Sequence, residues 1–270
     1  PKKIKLLQEI PKLDDRDVMA LEILGKRIMD RLPPKQPSAN IIETSYFKEN
    51  RQIFTNFINS IFQPYLEKIN SQEEETCDSM ISGDFSLLTH QEIVRDYINL
   101  YTPYTGLLLY HGLGSGKTCS SIAIAEGIKS HNVPNHKIII MTPASLEKNY
   151  IEELKYCGDF MYKKTQHWDF MPFKKSSKEA VAISETLNLS IDYANKKKGA
   201  KGVGLWIMDK DKASNYDSLS ASDKLLVDNQ INEMIQSKYL FIHYNGITRR
   251  RLNANKKERR TENLFDNSVI

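Results

Sequence analysis

The chain has 270 residues, 40% of them hydrophobic and 27% charged, with a formal net charge of +4. That length allows one large domain or two modest ones, and the composition is that of a globular chain rather than a disordered or fibrous one. No purely apolar run exceeds four residues, Ile138–Met141 among them and Leu107–Leu109 shorter, far below the ~20 residues of a spanning helix, so no membrane helix is expected. The +4 is unevenly spread. Residues 249–260 hold seven Lys/Arg and one Glu, which leaves the rest of the chain slightly acidic. The N-terminus has charge but no apolar core of a secretory signal behind it, and it lacks an initiator Met, as expected of a cut or processed piece.

In chain order, residues 14–32 are predicted as a helix with Leu21, Leu24, Ile28 and Leu32 as its stripe and Pro33-Pro34 as its stop. A loop is expected over 35–45. A longer helix over 47–69 carries Phe54, Phe57, Ile58, Ile61, Phe62 and Tyr65 on one side, with Pro64 set to kink or end it. The polar, acidic stretch 70–77 reads as a linker. Residues 1–80 are thus a helical extension, a packing layer or a partner-docking module. From there the texture is α/β: a helix Thr89–Tyr101 capped by Thr89, a buried strand Gly106–Tyr110, a glycine loop, a helix Thr118–Lys129, a strand Lys137–Thr142 and a Ser145-capped helix to Tyr156. Alternation of strand and helix predicts a parallel sheet. Residues 158–225 read as a mostly irregular insertion with a helical window at 177–187 and a strand Val203–Met208. A helix at 222–237, with Val227, Ile231, Met234 and Ile235 on one face, leads to a strand Tyr239–Tyr244.

Cys77, Cys119 and Cys157 are odd in number, far apart and free of any CxxC spacing. They predict a reducing compartment, with no disulfide framework and no structural zinc. Cys119 reads as a small helix residue against the sheet.

The sharpest signal is His111-Gly112-Leu113-Gly114-Ser115-Gly116-Lys117-Thr118. It matches the phosphate-binding loop GxxxxGK[ST] except at its first position, where His111 stands for Gly. Glycines let the backbone curl so that N–H groups meet phosphate oxygens, and the following helix adds the positive end of its dipole. Lys117 would pair with the β- and γ-phosphates, and Thr118 would give a hydroxyl to Mg²⁺. Gln91, 26 residues before Lys117, has an amide suited to an adenine edge, or is an ordinary helix residue. Thr142-Pro143-Ala144-Ser145 places a hydroxyl and a helix N-terminus at a strand's carboxyl edge, a geometry that grips nucleic-acid phosphate.

Together His90-Gln91, HGLGSGKT (111–118) and MTPASL (141–146) resemble the adenine-reading motif, motif I and motif Ia of superfamily 2 helicases and translocases. Substitution of the first loop Gly occurs in the Swi/Snf-like branch. The segments 89–127, 238–246 and 43–54 are similar to the superfamily 2 helicases of nucleocytoplasmic large DNA viruses, relatives of the poxvirus nucleoside triphosphatase I and early-transcription-factor ATPase.

The resemblance implies a RecA-like P-loop domain over 81–270, interrupted at about 158–225, and an ATP- and Mg²⁺-dependent motor on DNA or RNA. It implies ATP contacts from Gln91, the loop 111–118 and Cys119. Nucleic-acid contacts would come from Thr142, Pro143, Ser145, Asn245, Gly246, Arg249 and Arg250. For Asn245-Gly246 a plain turn is the alternative, and for the run 249–260 a solvated loop. A role in viral transcription, beside a viral RNA polymerase or transcription factors in the host cytoplasm or the virion, is implied as well. The family places its Walker B carboxylates directly after a strand such as Asn267–Ile270, so the expectation is an N-terminal part of a larger motor that does not turn ATP over alone. The rival readings are a P-loop enzyme of another class and a non-catalytic P-loop subunit.

Overall fold

The structure is a computed structural model that describes residues 15–33, 50–71, 87–98, 104, 106–129, 138–196, 198–199 and 202–247. The helix expected over 14–32 is broken in two. Helix α1 (Asp15–Ala20) and helix α2 (Ile28–Arg31) flank a hairpin of β1 (Glu22–Ile23) and β2 (Lys26–Arg27). Its two-residue turn is Leu24-Gly25, with φ of 52° and 75°. Two successive positive φ values make the tight turn that matches strand twist, and Gly25 would weaken a helix there. The hairpin sends Ile23 and Ile28 fully inward and leaves Leu24 exposed.

Helix α3 (Arg51–Ser71) half-buries the six side chains expected of it, Phe54, Phe57, Ile58, Ile61, Phe62 and Tyr65. Pro64 lies inside the helix and does not end it. Helix α4 (Thr89–Asp96) starts where expected and winds on helically through 97–98, while the expected end at Tyr101 lies outside the described residues; its N-cap is Leu88, which has no capping side chain. Thr89 is instead the first helical residue, and its buried hydroxyl has no partner. The cap is replaced by the Gln91 side chain, whose Oε1 accepts the Leu88 N–H at 3.1 Å. Helix α3 clamps α4: the Tyr65 hydroxyl donates to Asp96, and Lys68 pairs with Glu92 at 2.7 Å.

The strand expected at Gly106–Tyr110 does not form. Its residues pair with no described strand, and Leu108 and Tyr110 are 86% and 94% exposed. An apolar run becomes a strand only when a neighbour supplies the ladder. Helix α5 (Lys117–Lys129) follows the glycine loop. Strand β3 (Ile138–Thr142) leads through a 3-10 turn at Ala144–Leu146 into helix α6 (Glu147–Cys157). Ser145 therefore sits within that turn and does not cap α6. The turn is closed by Leu146 N–H donating to Pro143 at 3.0 Å.

The segment at 158–225 is more regular than its sequence suggests. Strand β4 (Trp168–Pro172), helices α7 (Lys178–Thr186) and α8 (Ile191–Lys196), and strands β5 (Lys198–Gly199) and β6 (Gly202–Met208) build an antiparallel sheet of order β4-β6-β5. Strand β4 escapes sequence reading because Asp169 and Pro172 interrupt its apolar pattern. Helix α9 (Ala221–Lys238) buries Val227, Ile231, Met234 and Ile235, as expected, and delivers strand β7 (Tyr239–His243). Strands β3 and β7 are parallel, with Ile138 opposite Tyr239 and Thr142 opposite His243. The fold is thus mixed α/β with a small parallel sheet. Its core runs from Ile122 and Leu154 through the α9 face to Leu205 and Ile207.

Residues 15–33 dock on the antiparallel sheet through buried charge. Arg31, 1% exposed, bonds Asp169 at 3.0 Å and the Ile23 carbonyl at 3.1 Å, and lies 3.8 Å from Asp209. Lys26 reaches Asp209 at 2.6 Å and Asp211 at 2.7 Å. The structure also corrects the cysteine reading. Cys119 and Cys157 form a disulfide, their Cα atoms 5.7 Å apart across 38 residues of sequence. Packing of α5 on α6 brings together thiols whose spacing carries no signal.

No described helix is long and apolar enough to cross a membrane. The loop at 35–45, most of the linker at 70–77, the basic run 249–260 and the segment 264–270 lie outside the described residues.

Candidate functional site

The glycine loop turns into α5 as its sequence requires. Gly114 and Gly116 take φ of 82° and 72°, values that other residues adopt only under strain. A Cβ at Gly116 would also collide with Nε2 of Gln91. Ser115 Oγ donates to Gly112 at 2.9 Å and holds the curl closed, while Leu113 stands fully exposed at the tip. The first turn of α5 carries no acidic residue. Its free N–H groups and dipole therefore favour an anion without opposition.

Lys117 folds over this loop. Its Nζ donates to the carbonyls of His111 and Gly112 at 3.2 and 2.7 Å. The ammonium remains exposed and on a flexible stem. Two neutral carbonyl acceptors are weaker partners than a phosphate oxygen, because charge on both sides strengthens a hydrogen bond. The loop thus has the donor set that a polyphosphate needs: backbone amides, a helix N-terminus and a lysine within reach. Thr118, the next residue, is half-buried, and its backbone carbonyl accepts from Ser121 Oγ at 2.7 Å.

Helix α4 braces the loop from behind. His90 Nε2–H donates to the Ser115 carbonyl at 3.0 Å, and its ring meets His111 edge-on at 5.7 Å between centroids. Gln91 is 3% exposed, with one end of its amide on Leu88 and the other reaching the Gly116 carbonyl at 3.5 Å. Its amide faces the loop, not solvent. His90 and the buried, unpartnered Nδ1 of His111 are the site features that residue-by-residue reading passes over. The only sequence signal for His90 is that it precedes Gln91.

A second group gathers where β3 and β7 end. Their register sets Thr142 beside His243, so Pro143 and Ser145 on one chain segment and Asn245 and Gly246 on the other share one edge. Glu147, in the first turn of α6, pairs with His243 at 2.5 Å and ties the two segments together. Arg249 and Arg250 lie outside the described residues. Helix α6 begins at this edge and ends at Cys157, bonded to Cys119 next to the loop. Its 11 residues rise about 16 Å, so loop and edge stand at opposite ends of one helix. Cys119 lies in the disulfide rather than in the loop itself. Among the described residues, Cys119, Glu153 and Cys157 are the one group of three side chains with metal-ligating atoms. With the two sulfurs bonded to each other, it is not a ligand set.

Comparison with known proteins adds a class. Relatives of parts of this chain are proteins named as helicases, from several large DNA viruses. It is 36% identical over 119 residues to "Putative ATP-dependent RNA helicase R563" of Acanthamoeba polyphaga mimivirus, which covers 44% of this chain and 20% of that protein. It is 31% identical over 163 residues to "Putative ATP-dependent RNA helicase L377" of the same virus, covering 58% and 13%. Against "Putative helicase 087L" of Invertebrate iridescent virus 3 it is 36% identical over 78 residues, covering 25% and 8%. The chain spans a fifth or less of the length of these curated relatives. No protein-family model and no solved structure matches it.

Proposed function

We propose that this chain is the ATP-binding part of a superfamily 2 helicase or translocase of a large DNA virus, built on a RecA-like domain. The observation that carries the reading is the loop 111–118. Its two positive-φ glycines, the unopposed N-terminus of α5 and the movable Lys117 form a cradle for the β- and γ-phosphates. In this reading Lys117 leaves its two carbonyls for phosphate oxygens, and Thr118 holds Mg²⁺. Gln91 gives up its long bond to Gly116 to meet adenine. The edge made by Thr142, Pro143, Ser145, Asn245 and Gly246 holds the backbone of a DNA or RNA strand without reading its sequence. The names of the relatives support ATP use and nucleic acid. We place the motor in viral transcription in the host cytoplasm, beside a viral RNA polymerase. The RecA-like reading also requires Leu107–Tyr110, exposed here, to gain a strand neighbour.

The deciding experiment is MgATP binding and nucleic-acid-stimulated turnover in the full-length protein, wild type against Lys117→Ala. Loss of turnover by at least about a hundredfold, on the order of 3 kcal/mol of transition-state stabilisation, is expected. Normal turnover in the variant overturns the loop assignment.

A further inference from the structure

The disulfide between Cys119 and Cys157 has no part in the reading above, yet it touches the helix that carries the phosphate loop. Cys119 is the third residue of α5, two positions after Lys117, and Cys157 is the last residue of α6. Each is 7% exposed. The carboxylate of Glu153, on the exposed side of α6, comes within 3.6 Å of Cys119 Sγ. Ser121 Oγ on α5 also lies 3.0 Å from the Tyr150 hydroxyl on α6. Both cysteines are buried in the core, but Cys157 closes α6, so exchange proceeds when that last turn opens by fraying.

We propose that Cys119 and Cys157 are a reversible thiol–disulfide pair, exchanging with small disulfides of the glutathione class. Its state sets how firmly the first turn of α5, and with it the phosphate loop, is held against α6. In the oxidising direction the Cys119 thiolate attacks one sulfur of the small disulfide and expels a thiolate, leaving a mixed disulfide. The Cys157 thiolate then attacks the Cys119 sulfur and expels the second. The protein pair loses two electrons and two protons, and the small disulfide gains them as two thiols. Excess thiol runs the same steps backward. Helix α6 reaches from the pair to the edge at Thr142 and His243, so the bond joins the loop to the other candidate site through one rigid element.

The test uses the 270-residue chain in oxidising and in reducing glutathione buffers, without nucleotide. Alkylation and peptide mass spectrometry read the bond, and amide hydrogen exchange reads residues 117–122. The bond is expected to form and to be lost with the buffer. Exchange at 117–122 is expected to rise about tenfold on reduction while the amides of α9 stay unchanged. Cys157→Ser should exchange at the reduced wild-type rate in both buffers. Thiols that stay free in the oxidising buffer, or a bond that forms and leaves exchange at 117–122 unaltered, overturn the proposal. The wild-type comparison alone decides, even if the variant folds poorly. MgATP affinity is then read in both buffers, and a chain that binds none in either defeats the nucleotide reading while the exchange result still judges the pair.

Discussion

At Gly116 even a methyl side chain would disturb the glycine loop. The residue combines a φ of 72° with the amide of Gln91 packed where a Cβ would sit. Gly116→Ala should therefore lose stability twice, by about 1 kcal/mol or more from the backbone and by up to about 1 kcal/mol from displacing the end of the Gln91 side chain. Removing the obstacle isolates the second part. In a double-mutant cycle with Gln91→Ala, the pair should fall short of additivity by about 1 kcal/mol in urea denaturation, since the two residues touch. Strict additivity would mean that the contact is dispensable. Gln91→Ala also tests chemistry. ATP should lose its preference over GTP, and an unchanged ratio in a binding competition removes the adenine-reading role.

Among elements, the N-terminal hairpin depends most on charge. Burial alone would raise the pKa of Asp169 and Asp209, but hydrogen bonds from Arg31 and Lys212 to the one, and from Lys26 and the Asp211 backbone to the other, outweigh it. Both carboxyls end below their ordinary value. Bonds from Lys210 and Lys26 hold Asp211 at about 2. A depressed carboxyl stabilises the fold above its unfolded pKa, about 4, and that contribution fades as pH falls through the folded value. The hairpin should thus come loose between about pH 4 and 2, ahead of α9, which hydrogen exchange on residues 15–33 would show. Lys26 is raised, chiefly by its bond to Asp209. Its share is present at neutral pH and is lost only above the ordinary lysine range. Arg31→Met removes one side of a buried pair and should cost about 3 kcal/mol in urea denaturation. A cost below about 1 kcal/mol would show that Lys26 and Lys212 suffice for Asp169 and Asp209.

At the scale of the molecule the disulfide closes a loop of 38 residues between α5 and α6. Chain entropy assigns such a closure about 4 kcal/mol. Cys119→Ser should lower thermal stability measured under oxidising conditions and change nothing under strong reduction. The same molecule shows where periodicity is reliable. The faces of α3 and α9 are legible because each repeats apolar residues over several turns, and the β3–β7 pair because each strand is a continuous apolar run. Short segments mislead. Leu21, Leu24, Ile28 and Leu32 keep helical spacing across a turn at Leu24-Gly25. Leu107–Tyr110 has the composition of a strand and no partner among the described residues.

The chain by itself determined the glycine loop, the helix that follows it and the two strand ends, because each is written in contiguous residues whose dihedral limits and hydrogen-bond needs are local. Only the tertiary structure decided that His90 and Gln91 brace the loop, that Arg31 lies buried between Asp169 and Asp209, and that Cys119 meets Cys157. Those partners are 25, 138, 178 and 38 residues apart. Such pairs form only after the helices and strands between them have packed, so their chemistry comes from burial and proximity, and neither is encoded at any one position.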